Sequence, residues 1–401
     1  MMERLGTATE LARRVARTQL SPTVAMAQRA AALRSAGRTI IDLTVGEPDR
    51  PTPAHILEAA AAALAQGKTR YASSAGLPEL RAAIALRYRR DAKVSFAEHE
   101  VGVTSGGKHA LYLACQALLD RGDEVIIPSP HWPSFSEAVR LAGARPILVR
   151  TGEKDGFQVT ARMVSKATSP RTRAVILNSP CNPTGATVEG EDLLVIGDMA
   201  QRRKFTLLCD DAYGRLLYKK QEPGVFQALR DSIGDRLVII GTASKTYSMT
   251  GWRIGWVLGP RPLVDACARL VSHSTQCATT FAQVAAVQAL VGSQKTVQEM
   301  VAEYRQRREL VLAALQGIPR ITCVPPSGAF YVFPNVARWL SPAVPTTVAL
   351  AQRLMDETGV AVVPGEAFDA PGYLRLSFAR PAHELTAALE RIKTFLERLP
   401  V

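Results

Sequence analysis

Lys245 follows an apolar run and precedes an arginine, in Gly241-Thr242-Ala243-Ser244-Lys245-Thr246 with Arg253 further on. Leu237 to Ile240 reads as a buried strand, which puts Lys245 where that strand gives way to a loop rich in small hydroxyl residues. An ammonium in a partly dry pocket loses its proton more easily, and the neutral amine is then a nucleophile for an aldehyde carbon. Thr242, Ser244 and Arg253 are the donors that a phosphate group would need beside it. Taken alone, a lysine after a strand is most simply a solvated side chain. The rest of the chain changes that reading.

Asp210 closes the run Phe205-Thr206-Leu207-Leu208-Cys209-Asp210. A carboxylate at the end of a buried strand needs a cationic partner or suffers a large desolvation cost. A protonated pyridine nitrogen is such a partner, and the carboxylate would keep that ring an electron sink. Aldehyde, pyridine and phosphate together are the groups of pyridoxal phosphate. Tyr213, and Asn182 in Asn178-Ser-Pro-Cys-Asn182-Pro183-Thr184-Gly185, could both reach a phenolic oxygen of such a ring. Asn-Pro and Thr-Gly are also ordinary turn chemistry.

Gly102-Val-Thr-Ser-Gly106-Gly107-Lys108-His109 nearly spells the phosphate loop of nucleotide hydrolases, but His109 stands where the magnesium-binding hydroxyl belongs. What survives is a glycine pair between strand and helix, whose free N–H groups at a helix N-terminus suit a phosphate. Trp132 offers a flat face for an aromatic ring or is simply a core or surface tryptophan. Arg375, in the alternating run Tyr373-Leu374-Arg375-Leu376-Ser377, shares a side with Tyr373 and Ser377. A guanidinium there can grip an α-carboxylate bidentately or serve a structural ion pair.

These residues need elements to hold them. Short apolar runs at 101–104, 124–128, 146–150, 174–178, 205–210, 237–241 and 254–258 predict strands, and helical patterns at 109–119, 135–142 and 191–202 fill the gaps. Such alternation predicts an α/β fold whose large domain is a mostly parallel seven-stranded sheet between helices. In sheets of that kind the working residues gather beyond the carboxyl ends of the strands, where Asn178, Asp210 and the 242–245 segment fall. Helical patterns over about 296–315 and 382–399 flank Gly328-Ala329-Phe330-Tyr331-Val332 and predict a smaller α+β domain. Residues 46–291 are expected to form the large domain, with 1–45 and 292–401 building the small one from both chain ends.

At 401 residues, 47% hydrophobic and 21% charged, the chain is an ordinary globular protein, long for one core. No apolar run reaches the roughly 18 residues of a membrane helix, and Met1-Met2-Glu3-Arg4 leads into no signal-like core. Arg13, Arg14 and Arg17 suggest a transit peptide, but Glu3 and Glu10 oppose it, so a cytoplasmic protein is expected. The net charge of +13 is spread along the chain without a basic tract, which argues against nucleic acid as a partner; an anionic cofactor and anionic substrates account for part of it. The six cysteines form no C-x-x-C pair and read as reduced thiols, and the six histidines show no clustered spacing, so no metal is expected.

In order and spacing these residues resemble the fold type I pyridoxal-phosphate aminotransferases of class I/II, most closely the bacterial aspartate aminotransferase subgroup. The resemblance runs from Ser21-Pro22-Thr23 through Leu43-Thr-Val-Gly46-Glu-Pro48, Tyr71-Ala-Ser-Ser-Ala-Gly76 and Ser105–Lys108 to Arg375. It implies Lys245 as Schiff-base lysine and proton shuttle, Asp210 on the ring nitrogen, Tyr213 and Asn182 on the phenolic oxygen, and Trp132 stacked on the ring. It places Gly107, Lys108, Thr242, Ser244 and Arg253 around the phosphate, and Gly46, Asn182 and Arg375 at the substrate. Tyr71 would reach the phosphate of a neighbouring subunit, so a homodimer with shared active sites is implied. In this subgroup a lysine at the place of Lys108, with a serine matching Ser21, goes with acidic substrates; Phe378 stands where close relatives often carry tyrosine. The implied activity is amino-group exchange between an amino acid, aspartate or glutamate, and a 2-oxo acid by a two-stage mechanism. Aromatic amino acids or prephenate are the alternative substrates. A pyridoxal-phosphate lyase or oxidase of the same fold would use the same lysine, aspartate and arginine. A transcription regulator with an aminotransferase-like domain would need a DNA-binding segment for which this chain has no spare residues.

Overall fold

The computed structural model describes residues 22–219 and 224–399. In chain order its strands are β1 (Ile41–Asp42), β2 (Val101–Thr104), β3 (Glu124–Ser129), β4 (Arg145–Arg150), β5 (Thr172–Asn178), β6 (Thr206–Asp210), β7 (Leu237–Thr242), β8 (Gly255–Leu258), β9 (Tyr331–Val332), β10 (Val360–Ala361), β11 (Val363–Pro364) and β12 (Leu374–Ser377). Seven of them form one sheet in the order β2-β8-β7-β6-β5-β3-β4. The pairs from β7 to β4 are parallel, and β8 runs antiparallel to both of its neighbours.

The central strands are apolar on both faces because both are covered. Val175, Leu177, Leu207, Cys209, Leu237 and Ile239 pack with Ile56, Leu80, Ile84, Ile196 and Leu229 from helices on one side. Ala174, Ile176, Leu208, Val238 and Ile240 pack with Leu111, Leu113, Phe135, Val139 and Leu263 on the other. Side chains alternate with a period of two, so a strand buried on both faces reads as a continuous apolar run. The same parity sends Asp210 to the side of Leu208 and turns Asp211 away, where its Oδ2 accepts from the Tyr88 hydroxyl at 2.8 Å.

A second core joins the two ends of the chain. Met26 and Ala30 of the helix Pro22–Ser35, together with Leu43, pack among Tyr304, Phe330, Tyr331, Leu350, Phe378, Leu389 and Phe395, and Tyr213 and Leu216 join the same cluster. β1 pairs in parallel with β10, and β12 lies between β11 and β9 in an antiparallel trio. These short strands bring the segment before Gly46 and the segment carrying Arg375 together over the carboxyl ends of the large sheet. Phe378 is fully buried in this core against Tyr218 and Tyr304. Among the described residues no helix is long and apolar enough to cross a membrane.

Gly106 decides the geometry where β2 passes into the helix Gly107–Leu118. Its φ is +96°, and a Cβ there would lie 2.4 Å from Arg253 Nη2. Only glycine adopts that backbone conformation at little cost, and only glycine lets the guanidinium approach.

Candidate active site

The strand ends, the Gly106–Gly107 turn and the β12 segment enclose a cavity of about 300 Å³. Gly46, Gly107, Lys108, Trp132, Asn182, Asp210, Tyr213, Thr242, Ser244, Lys245, Arg253 and Arg375 all line it. The two remaining residues that the sequence points to do not join them: Tyr71 is 84% exposed and does not line the cavity, and Ser21 lies outside the described residues.

Lys245 Nζ donates to the carbonyl oxygen of Gly46 at 2.5 Å. Burial pulls its pKa down to about 8, helped by the cations of Arg253, Arg375 and Lys108 and opposed by Glu47. A share of this amine is therefore neutral near physiological pH, as a nucleophile requires. Asp210 accepts one hydrogen bond, at Oδ1 from the Ala212 N–H at 3.0 Å. Burial is the main cause of its rise to about 7, with the neighbouring Asp211 adding to it and the Ala212 bond and Lys245 opposing. A carboxyl so placed gains most from a cationic N–H partner in the cavity.

One end of the cavity is built for anions. The helix Gly107–Leu118 begins there, and its first N–H groups have no partner within the helix. Thr242 Oγ1 lies 2.8 Å from Ser244 Oγ and accepts from the Ser244 N–H at 3.1 Å, and Arg253 is held by an Nη1 bond to the Thr250 carbonyl at 2.7 Å. Lys108 is exposed at the rim, its Nζ 5.0 Å from the centre of the Trp132 ring. Trp132 itself meets Phe135 edge to face.

The opposite end is built around Arg375, only 2% exposed. Its Nη1 donates to Asn182 Oδ1 at 3.0 Å and its Nη2 to the Thr44 carbonyl at 2.6 Å, while Nε is buried without a hydrogen-bond partner among the described residues. Thr44 is fixed in turn, because Asp42 Oδ1 accepts from both its N–H and its hydroxyl. Since Asn182 Oδ1 faces the guanidinium, its amide hydrogens remain for other acceptors. Asn178 Oδ1 accepts from the Asn182 N–H at 2.8 Å, so the strand end positions the turn.

Three further residues contribute to the site without a role legible in the sequence. Tyr331 lines the cavity, with its hydroxyl 2.8 Å from that of Tyr213. Asn178 scaffolds Asn182, and Phe368 packs its ring 5.0 Å from the Arg375 guanidinium. Each owes its place to a tertiary contact, and only Asn178, at a strand end, carried a positional signal. His131 lies beside the site; its ring Nε2 meets Ser136 Oγ at 2.6 Å, and burial holds its pKa down to about 4. Among the described residues no group of three or more His, Cys, Asp or Glu is placed to hold a metal ion, and all six cysteines are free.

The family model for aminotransferases of class I and II matches residues 38–392. The chain is a class I/II aminotransferase. An aspartate aminotransferase of Geobacillus stearothermophilus is 42% identical over 389 residues, covering 97% of this chain and 99% of the relative. An aspartate/prephenate aminotransferase of Thermus thermophilus is 44% identical over 391 residues, again covering 97% and 99%. The solved structure of the Thermus thermophilus aspartate aminotransferase with maleate superposes with a TM-score of 0.92 at 42% identity, over 96% of this chain and 99% of that one. The α/β architecture of this aminotransferase, with its mostly parallel seven-stranded sheet, is thus the fold type I arrangement, and its activity is amino-group transfer between an amino acid and a 2-oxo acid.

Proposed function

We propose that this aminotransferase uses pyridoxal phosphate and exchanges the amino group of aspartate or glutamate with a 2-oxo acid in two stages. The observation that carries the cofactor is Asp210: a buried carboxyl with no cationic hydrogen-bond partner among the described residues, in the same cavity as a lysine whose proton is held loosely. The residues present fit the group. The Gly107 helix start, Thr242, Ser244 and Arg253 would hold a phosphate, Asp210 a ring N–H, Tyr213 and Asn182 a phenolic oxygen, and Trp132 a ring face.

Pyridoxal phosphate, when bound, supplies an aldehyde carbon and a ring that takes up the electron pair left by a departing α-proton. Lys245 Nζ, once free, carries that proton. Arg375 and the Gly46 N–H would hold the α-carboxylate and so orient the α-carbon for Lys245. Asp210 would keep the ring nitrogen protonated.

Lys108 is the cation at the rim, suited to the distal carboxylate of an acidic substrate, and the names of the relatives favour that reading. Prephenate, also a dicarboxylate, would suit the same cation. Tyr71, exposed at 84%, is proposed to reach the phosphate site of a second copy in a homodimer; Leu57, Leu64 and Val291 add exposed apolar surface on the helices Ala54–Ala65 and Thr280–Val291. The division into a 46–291 domain and a smaller one from both chain ends belongs to the same proposal.

The test is a half-reaction screen. The cofactor-loaded protein is mixed with single amino acids without an acceptor, and the visible absorbance is followed. Aspartate and glutamate should bleach it fastest and leave a 2-oxo acid in equal amount. Ammonia and a deaminated product released catalytically, with the absorbance retained, would contradict transamination.

A further inference from the structure

Tyr331 touches both Arg375 and Tyr213. It stands in β9 opposite Ser377 of β12, and Arg375, two residues before Ser377 on the same strand face, is its diagonal neighbour. The Arg375 guanidinium carbon consequently lies 4.5 Å from the centre of the Tyr331 ring, with Phe368 at 5.0 Å as a second aromatic neighbour. The Tyr331 hydroxyl lies 2.8 Å from the Tyr213 hydroxyl, and the two rings meet edge to face. Gly46 completes the arrangement, since a Cβ on it would fall 2.8 Å from the Tyr331 oxygen.

We propose that Tyr331 is a positioning residue that links Arg375 to Tyr213: its ring seats the Arg375 guanidinium, and its hydroxyl donates to Tyr213, so that the Tyr213 proton is aimed into the cavity. The inference rests on the reading of that cavity as the cofactor site.

The direction of the bond follows from the task of Tyr213. A phenol has a single O–H, and Tyr213 lines the cavity, where that proton would meet the phenolic oxygen of the cofactor. Two phenols at 2.8 Å share one hydrogen bond, so with the Tyr213 proton given to the cavity it is the Tyr331 hydroxyl that donates. A donor that itself accepts a hydrogen bond is polarised and strengthened.

The experiment compares the wild type, Tyr331→Phe and Tyr331→Met, all loaded with pyridoxal phosphate. The phenylalanine removes the hydroxyl alone, and the methionine fills similar space without an aromatic face. Two readouts are taken: the pH at which the visible absorbance changes, and the affinity for succinate, a dicarboxylate that cannot react. Weakening the Tyr213 donor leaves negative charge on the phenolic oxygen less well held, so a proton beside it is held more tightly. In Tyr331→Phe the absorbance midpoint should rise by roughly 0.2–0.7 pH unit, with succinate binding within about twofold of wild type because the ring remains. In Tyr331→Met the midpoint should rise similarly, and succinate should bind about three- to thirtyfold more weakly.

An unchanged midpoint in Tyr331→Phe would overturn the hydroxyl's role. Succinate binding equally weakened in both variants would mean a general loosening of the site and would overturn the ring's role. A melting temperature is taken for each variant; if the methionine protein does not fold, Tyr331→Phe decides alone, since a raised midpoint with retained succinate affinity is the signature claimed. A wild-type protein without a visible band would instead remove the cofactor reading beneath the inference.

Discussion

Replacing Arg375 by lysine keeps the charge and removes the fork. The guanidinium has five N–H groups; one on Nη1 is committed to Asn182 Oδ1 and one on Nη2 to the Thr44 carbonyl, which leaves three, Nε–H included, of which a bidentate grip on a substrate carboxylate takes two. A lysine ammonium has three. If it satisfied Asn182 and Thr44 it would keep a single donor for the carboxylate, so one charge-assisted hydrogen bond, worth about 1.5–3 kcal/mol, is lost. It also weakens the cation–π contact with the Tyr331 and Phe368 rings, about 0.5–2 kcal/mol more. Together these predict a loss of about 2–5 kcal/mol in transition-state binding, or roughly 30- to 5000-fold in kcat/KM. The assay is single-turnover kinetics with aspartate and with alanine. Both should fall by the same factor, because the α-carboxylate is common to them, and bound pyridoxal phosphate should be undiminished. A loss under about threefold, or one confined to aspartate, would refute the assignment of Arg375 to the α-carboxylate.

Lys108→Ala should lower kcat/KM for aspartate and glutamate by roughly ten- to a hundredfold and change alanine and phenylalanine far less; equal losses would assign Lys108 to the cofactor. Asp210 gives a pH signature in cofactor-free protein. Its folded pKa, about 7, lies above the unfolded value near 4, so the folded state binds the extra proton between those values, and stability present at acid pH is lost as pH rises from about 4 to about 7, by on the order of 4 kcal/mol. Denaturant melts should show this decline in the wild type and a flatter profile in Asp210→Asn; identical profiles would contradict the buried, unpaired carboxyl.

The sheet was readable because strands covered on both faces cannot hide their composition: β5, β6 and β7 carry uninterrupted apolar runs at 174–177, 207–209 and 237–240, and their ends announce Asn178, Asp210 and Thr242. Period-two alternation along β6 also separates Asp210 from Asp211, and the hydrogen bond from Tyr88 to Asp211 agrees with it. Element ends were less accurate. The helix after the glycine pair begins at Gly107, two residues before the apolar pattern that marks it, because helix starts are defined by backbone geometry and exposed residues there carry no hydrophobic signal. Tyr331 and Phe368 were not readable as site residues at all. Within their own segments they are aromatic core residues like Phe330 and Phe333, and only the pairing of β9 with β12 brings Tyr331 to Arg375. Tyr71 illustrates another boundary: its proposed ligand lies on a second copy of the chain, so nothing within one copy explains its exposure.

Lys245 is the amine proposed to carry the cofactor. The protein is loaded with pyridoxal phosphate, reduced with borohydride, digested and sequenced by mass spectrometry. The pyridoxyl group is expected on the peptide containing Ser244-Lys245-Thr246 and is expected to be absent after Lys245→Ala, with visible absorbance lost on reduction of the wild type. A pyridoxyl group on Lys108 or any other lysine, or none on a protein that still transaminates, would contradict it.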